Sequence, residues 1–273
     1  MKVLRPSGLL WRSAAGPVMI RLKGAPTPVQ SSVSSVFPDA AQVLDAMDRT
    51  WPAHDRRVIP GWTLRLDPGG GKRVSAATPL GPGGDISVAE AAMRDAGQTP
   101  LFMLRPQDEA LDAVLADRGY RLVDPVTIHA GPSSRIAGIA TPGDCVCCCD
   151  FPLAVMAEIW AEGGIGPARL DVMSRAAKPR TWLLARSAHQ PAGVAFVSVW
   201  QDLAMIHAIE IAAGMRRQGH GRTLLAAAAN WAQRQGAGWL ALAVTDANHG
   251  ANALYAGAGM LPVTRYHYRQ APS

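Results

Sequence analysis

The chain has 273 residues, of which 48% are apolar and 18% charged. This is enough apolar material to build a core, and at roughly 100–200 residues per domain it makes one large domain or two small ones. No apolar run approaches the ~18 residues of a spanning helix, so a transmembrane class is excluded and no membrane partner is expected. The formal charge is +6, but residues 1–38 alone carry +5 without a single acid, residues 39–138 carry −2 and residues 139–273 carry +3. A basic tail, not a basic face, accounts for the excess, so no nucleic-acid partner is expected.

Residues 1–35 read as a basic, flexible N-terminal tail, ending in the linker-like run APTPVQSSVSS at 25–35. Trp62–Leu66 and Arg73–Ala77 have the composition of strands, joined by a hairpin that contains Gly69–Gly71. Val88–Arg94 reads as a helix and Leu101–Leu104 as a strand. Asp108–Gly119 (DEALDAVLADRG) reads as a helix that runs into another strand at Tyr120.

All four cysteines lie in one stretch, at 145, 147, 148 and 149. Cys145 and Cys148 have C-x-x-C spacing, but no second pair and no nearby histidine completes a zinc site. The stretch reads as a short strand or linker with partly buried thiols, and no metal is expected. Cysteines so clustered form no disulfide framework, which suits a reducing, cytoplasmic location.

Residues 152–178 read as two short helices broken at Gly163-Gly164, with Pro167 well placed to start the second. Thr181–Arg186, Val194–Trp200 and Ala204–Ala212 follow as antiparallel strands. Strict alternation on the last would put His207, Ile209 and Ile211 on one face and Glu210 on the other. A helix to about Gln235 carries Leu224, Leu225, Ala228, Trp231 and Ala232 on one stripe, and Gly236 and Gly238 stop it. Trp239–Val244 is apolar enough to be covered on both faces. A short helix from about Asn248 to Ala256 and a strand through Tyr268 complete the chain.

The segment Arg216-Arg217-Gln218-Gly219-His220-Gly221 joins a strand to a helix. Glycines there permit close backbone approach, and amides at a helix start attract an anion. It is not a Walker loop, because Arg222 follows Gly221 where Lys is required. It is not a dinucleotide fingerprint either, because Leu224 replaces the third glycine and Ala241 stands where the acid belongs. Alone, a Gly-x-Gly of this kind is compatible with a phosphate cradle and with a plain helix start.

Arg216-x-x-Gly219-x-Gly221 after an alternating strand is similar to the acetyl-CoA signature of the GNAT N-acetyltransferase superfamily. Asn248, Ala251, Leu254, Tyr255, Gly259 and Met260 resemble that superfamily's second block, at the right separation. The resemblance covers roughly residues 150–270. It implies a mixed, mostly antiparallel α/β (α+β) sheet flanked by helices, and acetyl-CoA as co-substrate. The backbone amides of Gln218, Gly219, His220, Gly221 and Arg222 would hold the diphosphate. Arg216 and Arg217 would add charge, and Thr223 would open the helix. The main chain at Ile209 and Ile211 would pair with the pantetheine arm, while Asn248 and Ala251 would line its path. Tyr255 would protonate the leaving thiolate. Glu210 is the candidate base and His207 the runner-up, on opposite faces of their strand, so at most one would face the acceptor. The acceptor would be a primary amine of a small molecule or a protein. Glu158, Glu162 and Asp171, near the segment that shapes the acceptor pocket in this superfamily, would attract a cationic amine or simply face solvent. The alternative is a non-catalytic acyl-CoA sensor, which has no need of the Tyr255 acid.

The first half contains an echo. Asp108–Gly119 has the same length as Asn248–Gly259, and each stretch follows an apolar strand and ends in glycine plus a large apolar residue. Leu115 stands where Tyr255 stands, and no Arg-x-x-Gly-x-Gly precedes the helix at Val88. The expectation is a tandem arrangement, with an inactive GNAT-like copy over residues 36–135 and a catalytic copy over 136–273. The first copy would pack against the second and shape the acceptor cleft.

Overall fold

A computed structural model describes residues 36–141 and 145–272; the expected basic tail lies outside them. The first half builds α1 (Ala40–Thr50), β1 (Asp55–Ile59), β2 (Trp62–Leu66), β3 (Ala77–Pro79), α2 (Ile86–Asp95), β4 (Leu101–Leu104), α3 (Glu109–Asp117), β5 (Arg121–Pro132) and α4 (Ser133–Ala137). The second half builds β6 (Cys145–Cys149), α5 (Ala154–Glu162), α6 (Pro167–Arg175), β7 (Arg180–Ser187), β8 (Gln190–Trp200), β9 (Leu203–Ile211), α7 (His220–Arg234), β10 (Trp239–Thr245), α8 (His249–Gly257) and β11 (Leu261–Gln270).

Most boundaries follow the expected ones within a few residues, since periodicity and glycine stops set them. The exception is Arg73–Ala77. Gly71 at φ 97° opens a 3₁₀ turn over Lys72–Val74, and the strand starts only at Ala77. The Gly69–Gly71 run therefore leads into a turn that packs against α6, where a Cβ at Gly71 would lie 3.2 Å from Arg169 Nε.

Among the described residues the strands form one eleven-stranded sheet, in the order β1-β2-β3-β4-β11-β5-β10-β9-β8-β7-β6. Most pairings are antiparallel; β3 with β4 and β9 with β10 are parallel. The two halves exchange their closing strands: β5 lies beside β10, β11 lies beside β4, and the two pair with each other in the middle. The expected boundary near residue 135 falls inside α4, and the sheet is continuous across it.

Three buried clusters hold the layers together. One spans the first half and includes Trp62, Phe102 and Leu115. The second packs α7 and α8 on one face of the second half, with Leu224, Leu225, Trp231 and Tyr255. The third packs α5 and α6 on the other face, with Trp160, Phe196 and Trp51 from the end of α1. β6 is an edge strand, so Cys145 and Cys148, three residues apart, point to opposite faces. Burial raises the thiol pKa of Cys148 and Cys149, which argues against a nucleophilic role.

Candidate active site

β9 and β10 are in register only from Trp239–Ala241 opposite Leu203–Met205. Beyond Met205 they diverge, because β10 stays with β5 as far as Thr245 while β9 stays with β8 as far as Ile211. The divergence leaves the main chain of Ile206–Ile211 without a strand partner on its β10 side. A wedge between parallel strands with such an edge can receive an extended guest chain.

The wedge opens into a cleft of about 950 Å³. Ile209, Glu210 and Ile211 line it from β9, Arg216, Arg217, Gly219, His220, Gly221 and Arg222 from the bend and the start of α7, and Asn248, Ala251 and Tyr255 from α8. Sequence residues up to 46 positions apart thus converge on one cavity. Two expected residues do not line it. Gln218 turns its side-chain amide to the Gly214 carbonyl at 3.1 Å. Thr223 is buried as the fourth residue of α7, so it does not open the helix; His220 does, and the Thr223 hydroxyl lies 3.5 Å from the Gly219 carbonyl.

The bend owes its shape to Gly219, at φ 93°, which precedes α7 without any side-chain cap. The amides of Arg222 and Thr223 already donate to the Gly219 carbonyl, at 2.9 and 3.1 Å. Arg222 N–H therefore leaves the expected set of anion donors. The amides of Gln218, Gly219 and Gly221 donate to no described residue. With the positive end of a fifteen-residue helix behind them, they fit a diphosphate. A Cβ at Gly221 would lie 3.2 Å from Leu254, so glycine keeps the entrance open between α7 and α8.

Asn248 and Ala251 are the two ends of one cap: the Asn248 side chain accepts the Ala251 N–H at 3.1 Å, ahead of the first turn of α8. That cap fixes α8, and α8 places Tyr255 in the cleft wall. Tyr255 is 6% exposed, and burial pushes its pKa up to about 12. It is fully protonated at neutral pH, which is the state a proton donor requires.

The register of β9 changes the reading of the two candidate bases. His207 faces Phe196 on β8 and Glu210 faces Val194, so Ala208 and Ile209 together oppose Ala195. This is a β-bulge, with Ala208 at φ 50° and its carbonyl held by Trp160 Nε1 of α5 at 2.8 Å. The extra residue resets the alternation. Glu210 and His207 share one face, and Ile209 and Ile211 take the other, against the α7 side. The expected opposition of His207 and Glu210 is thus corrected; nothing in the composition of AMIHAIEIA marks the bulge.

Glu210 lodges at the cleft mouth against the C-terminal end of α5, where a Cβ at Gly163 would be 2.5 Å from its carboxyl carbon. It pairs with Arg216 at 3.0 Å, and Arg216 Nε also donates to the Ile211 carbonyl at 3.2 Å. His207 is buried, with Nε2 2.9 Å from Thr50 Oγ1 and Nδ1 3.3 Å from Arg73 Nη1. Thr50 gives its proton to the Ala46 carbonyl, and a guanidinium only donates. The network therefore assigns the proton to Nε2 and fills the Nδ1 lone pair from Arg73. Burial, with Arg73 adding to it, lowers the His207 pKa well below the usual value, so the ring is neutral. Its lone pair being occupied, His207 holds Arg73 in place and is no base. Glu158, Glu162 and Asp171 are exposed and line neither this cleft nor the one beside His207.

Comparison with known proteins agrees with this geometry. Residues 154–260 match the acetyltransferase (GNAT) family model. A GCN5-related N-acetyltransferase from Kribbella flavida superposes with a TM-score of 0.64 at 18% identity, over 87% of this chain and 97% of that one. A functionally unknown conserved protein from Staphylococcus epidermidis gives 0.64 at 12% identity, over 82% and 97%. A tandem GNAT protein from the clavulanic acid biosynthesis pathway gives 0.53 at 18% identity, over 72% and 76%. No curated protein is similar enough to match. These likenesses, all below 25% identity, carry the fold alone, and the family model places an acetyltransferase (GNAT) domain at residues 154–260.

Proposed function

We propose that the protein is an acetyl-CoA-dependent N-acetyltransferase that passes the acetyl group directly to a primary amine. The observation that carries this reading is the convergence, on one cleft, of an uncapped helix start, an open strand edge and a protonated phenol. The first suits a diphosphate, the second an extended pantetheine arm and the third a leaving thiolate. In the transfer, the amine nitrogen forms a bond to the thioester carbon and the carbon–sulfur bond breaks. The sulfur takes a proton from Tyr255, and the nitrogen gives one up towards Glu210. Backbone N–H groups along the open β9 edge, near Ile211, supply an oxyanion donor. Four free cysteines accord with a cytoplasmic location.

The test is release of free thiol from acetyl-CoA over a panel of amines. Thiol release that depends on the amine, with an acetylated amine recovered by mass, is the expected result. Tight CoA binding without thiol release from any amine would instead make the chain an acyl-CoA sensor.

A further inference from the structure

A second cleft, of about 290 Å³, lies beside His207. The two clefts flank the bulge of β9, Ala208 lining one and Ile209 the other. A molecule in it would reach the bond held in the wedge from the side opposite α7.

Its charged lining is cationic, with Lys72, Arg73 and Arg169 against one carboxylate, Asp124, which is paired to Lys72 at 3.0 Å; Thr245, Tyr266 and Tyr268 add neutral hydroxyls. Among the described residues neither Arg73 nor Arg169 is in an ion pair. Arg73 is held by neutral His207 on one side, and its guanidinium carbon lies 6.0 Å from the centre of the Trp51 ring. Its Nε is buried without a hydrogen-bond partner. A guanidinium taken out of water needs a charge or a set of acceptors, and beside Arg73 stand only neutral groups, the His207 imidazole and the phenols of Tyr266 and Tyr268, with no carboxylate in contact. The turn that carries Arg73 is fixed against Arg169 by the close approach at Gly71, so both cations belong to one wall. That wall joins the first half to the second.

We propose that the acceptor is an amine that also bears an anionic group, a carboxylate or a phosphate. Arg73 and Arg169 bind the anion, and the amino group is directed to the bulge at Ala208. In the transfer the nitrogen–carbonyl bond forms, the thioester carbon–sulfur bond breaks, the sulfur is protonated and the ammonium proton is lost; the anionic group takes no part. The role of the amine rests on the acetyltransferase reading above; the anion site stands without it.

The test uses the full chain and matched sets: the common α-amino acids, their amides, their decarboxylated amines, and O-phosphoethanolamine beside ethanolamine. Binding is followed by tryptophan fluorescence, to which Trp51 in the cleft contributes, with and without CoA; thiol release from acetyl-CoA is followed in parallel. An anionic member should bind at least about tenfold better than its neutralised partners, the usual scale for a charged hydrogen bond. Arg73→Gln and Arg169→Gln should each abolish that preference, and Arg73→Lys should keep much of it. If Arg73→Gln fails to fold by circular dichroism, Arg169→Gln, on a half-exposed helix face, decides. The carboxylate and phosphate arms distinguish the two sources of the anion. Equal or tighter binding of the amides and parent amines, a preference that survives both variants, or no anionic amine bound at all would overturn the proposal. Anion binding without thiol release would support the site and reject the transferase reading.

Discussion

From β1 in the first half and β7 in the second, the two halves run through the same order of α-helices and strands, and the differences that bear on the site lie at two helix starts and one side chain. β4, α3 and β5 repeat β10, α8 and β11, down to the closing turns. Tyr120 N–H returns to Leu115 O at 2.9 Å and Met260 N–H to Tyr255 O at 3.1 Å, around Gly119 at φ 80° and Gly259 at φ 77°. The starts of α2 and α7 are unlike. The Asp85 carboxylate caps α2 through the Ser87 N–H at 2.8 Å, and fully buried Trp62 donates to the Asp85 carbonyl at 3.0 Å. An anion is thus already tethered to that helix, over an aromatic plug. α7 begins at a glycine with no cap. A helix start becomes a ligand site only where the chain withholds its own cap. In the same way Leu115 fills its pocket with hydrocarbon, whereas Tyr255 brings a hydroxyl to the cleft wall.

The comparison breaks most completely if the halves are separated. Residues 136–273 expressed alone lack β4 and β5, which leaves the β10 edge bare and strips β11 of both its neighbours. The expected product is insoluble or unfolded; a folded, CoA-binding fragment would show that the strand exchange is dispensable. Next in size is the pair at the closing helices. Tyr255→Phe should lower kcat about a hundredfold with little change in CoA affinity, the scale of a lost general acid. Leu115→Ala should leave kcat unchanged and cost about 2–5 kcal/mol of stability by opening a cavity.

Smaller still is the cap. Asp85→Ala should cost about 1 kcal/mol in stability by denaturant unfolding and leave CoA binding untouched. The smallest effect concerns the join between α3 and β11, where Asp112 accepts from Arg269 Nε at 2.6 Å and lies 2.8 Å from His267 Nε2. Arg269 first, then His267, holds the Asp112 pKa below its usual value, against its partial burial. That stabilisation is complete above the unfolded carboxyl pKa of about 4 and disappears as pH falls through the lower folded value. Thermal unfolding from pH 7 to 3 should therefore lose less on acidification in Asp112→Asn than in the parent chain.

Elements with local signatures were legible in the sequence. The Gly163-Gly164 break and Pro167 marked α5 and α6, and the glycine bend and the Asn248–Met260 block supply most of the lining of the larger cleft. What was not legible depends on register and on distant chain. A one-residue bulge at Ala208 put Glu210 on the His207 face, and only pairing with β8 reveals it. The exchange of β5 and β11 follows from which edges meet, and nothing in either strand's composition encodes that. The second cleft draws Trp51, Arg73, Arg169 and Tyr268 from four separate segments, so no motif spans it.

The most direct test compares equilibrium binding of CoA with that of pantetheine, which lacks the diphosphate, in the parent chain and in Gly221→Val. The parent should prefer CoA strongly, and Gly221→Val, with methyl groups crowding the bend beside Leu254, should remove the preference. Pantetheine bound as tightly as CoA, or an undiminished preference in Gly221→Val, would contradict a diphosphate held at the start of α7.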